Sequence, residues 1–244
     1  MKLEASEYVV LLGTVQSETQ FKTHGSGFLI SRDNIAYVIT CKHVGFDMSK
    51  FKIKFALHKP KKSTNISINL FLSDPIYYDI STDICIMKIL KYNSQTLNAH
   101  SIYTINLDYS DNICECNPED NLEVYGFPGN QTSLLLQKNN PEEMVPVHIV
   151  HCIATNWSVN SNLKLNESEF IDFNAMKVLL AKDDMSDIEG MSGGPIINTQ
   201  SNKLCGILSA GKKNCIILNK PRPILLMLPG KYILDLLNKI TTSR

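Results

Sequence analysis

The sequence predicts an all-β fold in two strand-rich halves, closed by a C-terminal α-helix. Three observations predict it. Short apolar, β-branched runs recur along the chain between polar turns, the spacing of a barrel or a sandwich. A mostly polar stretch, Asn106 to Asp120, divides them near the middle. Only after Pro229-Gly230 do apolar residues switch to helical spacing, over Tyr232 to Ile240.

The elements follow in order. Tyr8 to Val15 is apolar and β-branched, and Gly25 to Ile30 is a second such run. Arg32-Asp33-Asn34 reads as a hairpin turn into Ile35 to Thr40. Phe51 to Leu57 alternates apolar and charged residues, as a half-buried strand does. Ser67 to Leu72 and Ile84 to Leu90 bring the first half to about six strands. The second half repeats the style with Leu122 to Phe127, Ser133 to Gln137, Val145 to Thr155, Met176 to Ala181, Ile196-Ile197, Leu204 to Ser209 and Ile224 to Leu228. The Asn- and Ser-rich segment Asn156 to Ser168 reads as a long loop.

Composition narrows the function. Of 244 residues, 43% are hydrophobic and 20% charged, enough for a sizeable core. Lys plus Arg equals Asp plus Glu, 24 each, so no net field favours nucleic acid or an acidic membrane. The cluster Lys59-Pro60-Lys61-Lys62 lacks interleaved aromatics and reads as a solvated loop. The N-terminus has no apolar core of signal-peptide length, and no run approaches a membrane span. Seven cysteines are an odd number, several lie inside apolar strands, and only Cys114 and Cys116 are close together. That pattern predicts a reduced, cytoplasmic protein without a zinc site.

The stretch that carries chemistry is Gly190-Met191-Ser192-Gly193-Gly194-Pro195, which opens the strand Ile196-Ile197. Gly190 has no side chain, so its N–H and that of Ser192 can converge on one point. Such a donor pair is an oxyanion hole, the device that stabilises a tetrahedral acyl-transfer intermediate. A serine hydroxyl also needs a base beside it, itself oriented by a third group. Of the histidines at 24, 43, 58, 100, 148 and 151, His43 stands just past the strand ending Val38-Ile39-Thr40, where a loop or short helical turn would present it at a cleft. His58 falls in a basic loop, His100 in a polar one, and His148 and His151 on opposite faces of one strand.

These motifs together resemble the trypsin-like serine proteases. Gly25-Ser26-Gly27-Phe28-Leu29-Ile30 followed by Tyr37-Val38-Ile39-Thr40-Cys41-Lys42-His43-Val44 is similar to that family's first barrel and its histidine. Ser81-Thr82-Asp83-Ile84-Cys85-Ile86-Met87-Lys88-Ile89 resembles its aspartate strand, Gly190 to Pro195 its nucleophile loop, and Gly206 to Gly211 the strand lining its specificity pocket. The resemblance implies two six-stranded antiparallel barrels and a C-terminal helix, divided as 1–110 with His43 and Asp83 and 111–244 with Ser192. It implies a serine endopeptidase: Ser192 as nucleophile, His43 as general base and Asp83 as its orienting group. Asp79 is the competing aspartate. The N–H groups of Gly190 and Ser192 would form the oxyanion hole, and Ser186, Ser209, Ala210 and Gly211 the substrate-binding wall. A protein or peptide is the implied substrate; no metal, cofactor, nucleic acid or membrane is implied.

Met191 departs from the pattern. It stands where digestive trypsins carry an aspartate that pairs with a newly cut N-terminus, and no Ile-Val-Gly-Gly start is present. With no extracellular disulfide frame, the likeness runs to the intracellular bacterial-type, HtrA/Deg-like branch without a PDZ domain. The same residue leaves two expectations open, a loop ordered by an activating protein partner and a catalytically silent trypsin fold used as a protein-binding module. The acidic run Asp183, Asp184, Asp187 and Glu189 reads as a solvated loop, with Asp187 the candidate for a Lys or Arg preference.

Overall fold

The first half closes on itself as a ring of six strands. The structure, a computed structural model, describes residues 7–17, 20–58, 68–78, 82–108, 110–117, 120–128, 153–160, 177–181, 189–217 and 220–242. The ring comprises β1 (Val9–Ser17), β2 (Gln20–Arg32), β3 (Ile35–Thr40), β4 (Ile53–His58), β5 (Ile68–Tyr78) and β6 (Cys85–Asn93). Its order is β1-β4-β5-β6-β3-β2, and antiparallel pairing of β2 with β1 completes it. Asp33 and Asn34 both take positive φ, 50° and 60°, the left-handed pair that a tight hairpin between β2 and β3 needs. A two-residue strand, β7 (Ile105–Asn106), adds to β2 in parallel, the one departure from antiparallel pairing among the described strands of this half.

The second half is a closed six-stranded antiparallel barrel. It is built from β8 (Leu122–Gly126), β9 (Ile153–Asn160), β10 (Lys177–Ala181), β11 (Pro195–Asn198), β12 (Lys203–Ile217) and β13 (Lys220–Pro229). The C-terminal helix follows at once as α3 (Lys231–Thr242). Its apolar stripe, Ile233, Leu236 and Leu237, packs into the same buried cluster as Phe28, Val38 and Ile86 of the first barrel and Ile207 and Leu228 of the second. Helix and both barrels therefore meet in one buried cluster, beside a separate cluster inside the second barrel. The two-barrel, all-β architecture with a terminal helix is the one the sequence predicts.

Several details differ from the sequence reading. Two short helices join the terminal one, α1 (Lys42–Ser49) and α2 (Ser94–Ala99). Neither is long enough for apolar periodicity to register, although α2 begins with a capping box in which Asn93 and Thr96 bond reciprocally. The segment read as a loop from Asn156 is strand as far as Asn160, because β9 pairs with β8 and β10, Trp157 lying opposite both Leu122 and Ala181. Strand propensity yields to pairing partners on both sides there. His58 is not in a loop: it ends β4, is buried, and its Nε2 lies 2.6 Å from the Glu7 carbonyl oxygen. The predicted strand Ser133 to Gln137, most of Val145 to Thr155, and His148 and His151 lie outside the described residues.

Candidate active site

The site is assembled from strand ends. Chain leaving β3 turns at Cys41 into the first turn of α1, which carries His43. Asp83 stands just before β6, and the Lys42 N–H donates to its backbone oxygen at 3.2 Å. Its side chain reaches the open end of α1: the His43 N–H donates to Oδ1 at 3.2 Å, and His43 Nδ1 lies 2.9 Å from Oδ2. The carboxylate thus satisfies an N-terminal helix donor and orients the ring in one contact. With Nδ1 donating to a carboxylate, the lone pair of the neutral ring is on Nε2. The His43 side chain is 54% exposed and that of Asp83 21%, so the ring sits on a rim with its partner behind it.

The electrostatics follow from these contacts. The Asp83 hydrogen bond, opposed by burial and aided by the Asp83 charge, raises the pKa of His43 above 6.5. Burial by itself would raise that of Asp83, but hydrogen bonds from His43 and Ser209 and the His43 charge outweigh it and hold the carboxyl below its usual value. Asp83 therefore stays ionised, and His43 gains affinity for a proton.

A third donor to Asp83 comes from the second barrel. Ser209 Oγ bonds Oδ2 at 2.6 Å. The β12–β13 register shifts between Leu208 and Ala210, leaving Ser209 as the extra residue of a bulge, and a bulge re-aims a side chain. Ser209, expected along the substrate wall, thus turns its hydroxyl to the aspartate. Pairing of β11 with β12 ends at Ile207, so Ser209, Ala210 and Gly211 extend beyond it, Ala210 half-buried and Gly211 exposed. Ser186, Asp187 and Asp79 lie outside the described residues.

The Ser192 loop is clamped from three directions. The Ser26 N–H donates to the Ser192 carbonyl oxygen at 2.9 Å, tying the loop to β2. Ser26 Oγ donates to the Gly190 carbonyl oxygen at 2.9 Å and accepts from the Phe127 N–H at 2.8 Å. On the far side the Gly193 N–H donates to Leu208 at 2.8 Å, and the Leu208 N–H donates to Gly194 at 2.9 Å. Gly190 and Gly193 both have φ of +89°, where an L side chain is strained. A Cβ on Gly193 would lie 2.1 Å from the Ser26 carbonyl oxygen and 3.2 Å from the Cys41 nitrogen. This contact sets the loop directly against the segment that carries His43.

Met191 anchors the loop from within. Its side chain is fully buried among Leu122, Val124, Ile196, Leu208, Leu225 and Met227 of the second barrel. Among the described residues, neither the Gly190 nor the Ser192 N–H donates to a protein acceptor. No hydrogen bond joins Ser192 Oγ to His43 among these residues either, a contact that commonly tightens only with substrate in place. Cys41 Sγ, His43 and Asp83 bring three potential ligand atoms within 4.8 Å. The His43 and Asp83 atoms are bonded to each other, and the buried Cys41 thiol donates to the Leu208 oxygen at 3.0 Å.

Sequence reasoning gave no role to Ser26 and missed the bond from the Ser209 hydroxyl to Asp83. Ser26 stands inside the Gly25-Ser26-Gly27 motif, so position marked it, but its use as a bracket across the two barrels depends on tertiary contact.

Two β-barrels with a histidine–aspartate pair facing a Gly-X-Ser-Gly-Gly loop define the trypsin-like peptidase fold. The sequence profile of the trypsin-like peptidase domain family matches residues 25–207, more than half of the chain. The chain belongs to that family. No curated protein sequence matches it significantly. Among solved structures it is similar to kallikrein-related peptidase 10, with a TM-score of 0.61 at 14% identity over 98% of this chain and 97% of that one. It is also similar to Deg5, with a TM-score of 0.55 at 13% identity over 94% and 87%. Neuropsin, a serine protease expressed in the limbic system of mouse brain, gives 0.53 at 15% identity over 98% and 97%. At such identities the likeness speaks to the fold.

Proposed function

We propose that the protein is a serine endopeptidase that cleaves peptide bonds of protein substrates through an acyl-enzyme, as one protease unit made of an N-terminal barrel to about residue 110 and a C-terminal barrel after it. The observation that carries this reading is the His43–Asp83 pair, 2.9 Å apart, held against the clamped Ser192 loop. Ser192 Oγ attacks the scissile carbonyl, and His43 Nε2 takes its proton and returns it to the leaving amine. Asp83 holds the ring with Nδ1 protonated and stabilises the imidazolium, supported by Ser209. The N–H groups of Gly190 and Ser192 receive the oxyanion. Ser209 to Gly211 offer backbone for an extended substrate strand, and Ser186 is the residue proposed to contact the substrate side chain.

Burial of Met191 bears on the silent binding module, whose one favourable feature was that residue. Its side chain sits in the barrel core, an apolar anchor for the loop in place of a salt bridge to a new N-terminus; an activating protein partner would act on a loop already anchored from within. Among the described residues no helix is long and apolar enough to cross a membrane. Cys41, Cys85, Cys114, Cys116 and Cys205 are free thiols, which supports a cytoplasmic setting.

The test is peptide-bond turnover. Wild type and Ser192→Ala are incubated with a denatured protein mixture, and new N-termini are sequenced by mass spectrometry. New termini that cluster around a side-chain preference and vanish in Ser192→Ala are expected. Hydrolysis of small esters with no new termini would replace the endopeptidase reading by an esterase, and neither activity would favour the binding module.

A further inference from the structure

Behind the Ser192 loop the fold gathers three thiols that the mechanism does not use, Cys116 and Cys205 lying in the buried cluster that holds Met191. Cys114 and Cys116 lie in the crossing between the barrels, and the fold brings Cys205 of β12 to them. The Cys114 N–H donates to the Leu204 oxygen at 3.0 Å, and Ile113 forms a parallel bridge with Leu204. Cys114 Sγ and Cys205 Sγ are then only 3.2 Å apart. Cys116 Sγ lies 4.0 Å from the Met227 sulfur and also interacts with the Cys205 thiol, leaving Cys114 and Cys205 as the pair in parallel-bridged segments. All three line a cleft of about 520 Å³ with Asp111, Lys203 and Lys231, and Cys114 is half-buried. A small oxidant can therefore reach the pair.

We propose that Cys114 and Cys205 form a thiol–disulfide site, closed by a hydroperoxide and reopened by a dithiol, that staples the interbarrel crossing to the strand bearing Ser209. A disulfide needs its sulfurs about 2.05 Å apart with their α-carbons on adjoining backbone, and the paired segments already supply the second condition. In the first step the Cys114 thiolate attacks one oxygen of hydrogen peroxide. The O–O bond breaks, Cys114 becomes a sulfenic acid, and hydroxide leaves to be protonated as water. In the second, Cys205 sulfur attacks Cys114 sulfur, the S–O bond breaks, and the hydroxyl departs with the Cys205 proton as a second water. Two thiols and one peroxide thus give one disulfide and two waters.

The surroundings suit this order of events. Either sulfur can donate in the contact between the two thiols; with Cys205 donating, and with a contact of 3.7 Å from Ser201 Oγ, the Cys114 thiol is held below its usual value. Its contacts with Cys114 and Cys116, and its burial, keep Cys205 protonated to higher pH, while Cys114 is the more exposed of the two. Cys114 is thus the thiolate that reacts first and Cys205 the thiol that resolves it.

The test treats the reduced, folded full chain with equimolar hydrogen peroxide, then denatures and alkylates it. Intact mass and peptide mapping are expected to show two fewer alkyl groups, a Cys114–Cys205 linked peptide pair, and reversal by dithiothreitol. Cys116→Ser is expected to keep the linkage, and Cys114→Ser to lose it. A Cys114–Cys116 link, sulfinic acid on Cys114 without a cross-link, or no loss of thiols in the wild type would each overturn the proposal. Linkage mapping in the wild type decides the matter even if a variant fails to fold.

Discussion

Replacing Met191 by alanine tests how the nucleophile loop is held in shape. The side chain is fully buried and meets apolar partners all round, so truncation leaves a cavity that the barrel strands can fill only in part. Met→Ala at such a site costs about 2–5 kcal/mol. With a urea dependence of about 3 kcal/mol/M, the unfolding midpoint falls by about 1 M. The same loss frees the peptide between Gly190 and Ser192, whose N–H groups are assigned to the oxyanion. Losing one such donor lowers kcat by about 10²–10³-fold, which is the ceiling for the fall in reactivity. Urea unfolding followed by tryptophan fluorescence gives the first number, and the rate of labelling by a fluorophosphonate gives the second. Met191→Leu keeps volume and apolarity, costs less than about 1.5 kcal/mol, and is expected to label at near the wild-type rate. If Met191→Ala unfolds within about 0.5 kcal/mol of wild type and labels as fast, the side chain is not the anchor.

Further outcomes follow from the geometry. Asp83→Asn is expected to lower kcat by about 10⁴-fold, because the ring loses its oriented tautomer, with substrate KM little changed. The base must be neutral to act, so activity rises with pH through an inflection above 6.5, the direction in which Asp83 moves His43. Asp83→Asn moves that inflection down, and a pH–rate profile of each protein checks it. The same raised value means that protonated His43 favours the fold fully below about 6.5. That contribution is lost as pH rises through the folded value, which urea midpoints across pH 5–8 will follow. Gly193→Ala places a Cβ 2.1 Å from a backbone oxygen at a φ of +89°, and is expected to cost about 2–5 kcal/mol from strain and overpacking and to abolish labelling. Ser26→Ala removes the donor to the Gly190 oxygen and leaves the buried Phe127 N–H unpaired, costing about 1–3 kcal/mol in urea unfolding and slowing acylation more than it raises KM.

The strands of the first barrel were legible because their cores are written locally: Phe28 to Ile30 and Val38-Ile39 are continuous apolar runs between turn residues. The Asp33-Asn34 hairpin and the terminal helix were legible for the same reason. Helix α1 was not, since eight residues with only Val44, Gly45 and Met48 buried leave no periodic trace. The second barrel is harder to read because β9 gains its strand character from β8 and β10, not from its own Asn- and Ser-rich sequence. Within the site, residue types and order marked His43, Asp83 and Ser192. The hydroxyl of Ser209 on Asp83 depends on a register shift opposite β13, and the Ser26 bracket on contact between barrels. Neither is a property of a local run.

The central claim is that His43 activates Ser192 for acyl transfer, and labelling with a fluorophosphonate probe tests it most directly. Wild type, Ser192→Ala and His43→Ala are reacted at pH 8 and the modified residue is mapped by mass spectrometry. The account predicts a single adduct on Ser192 in the wild type, none in Ser192→Ala, and labelling in His43→Ala slowed by several orders of magnitude. A wild type that does not label, or that labels as fast without His43, would contradict it.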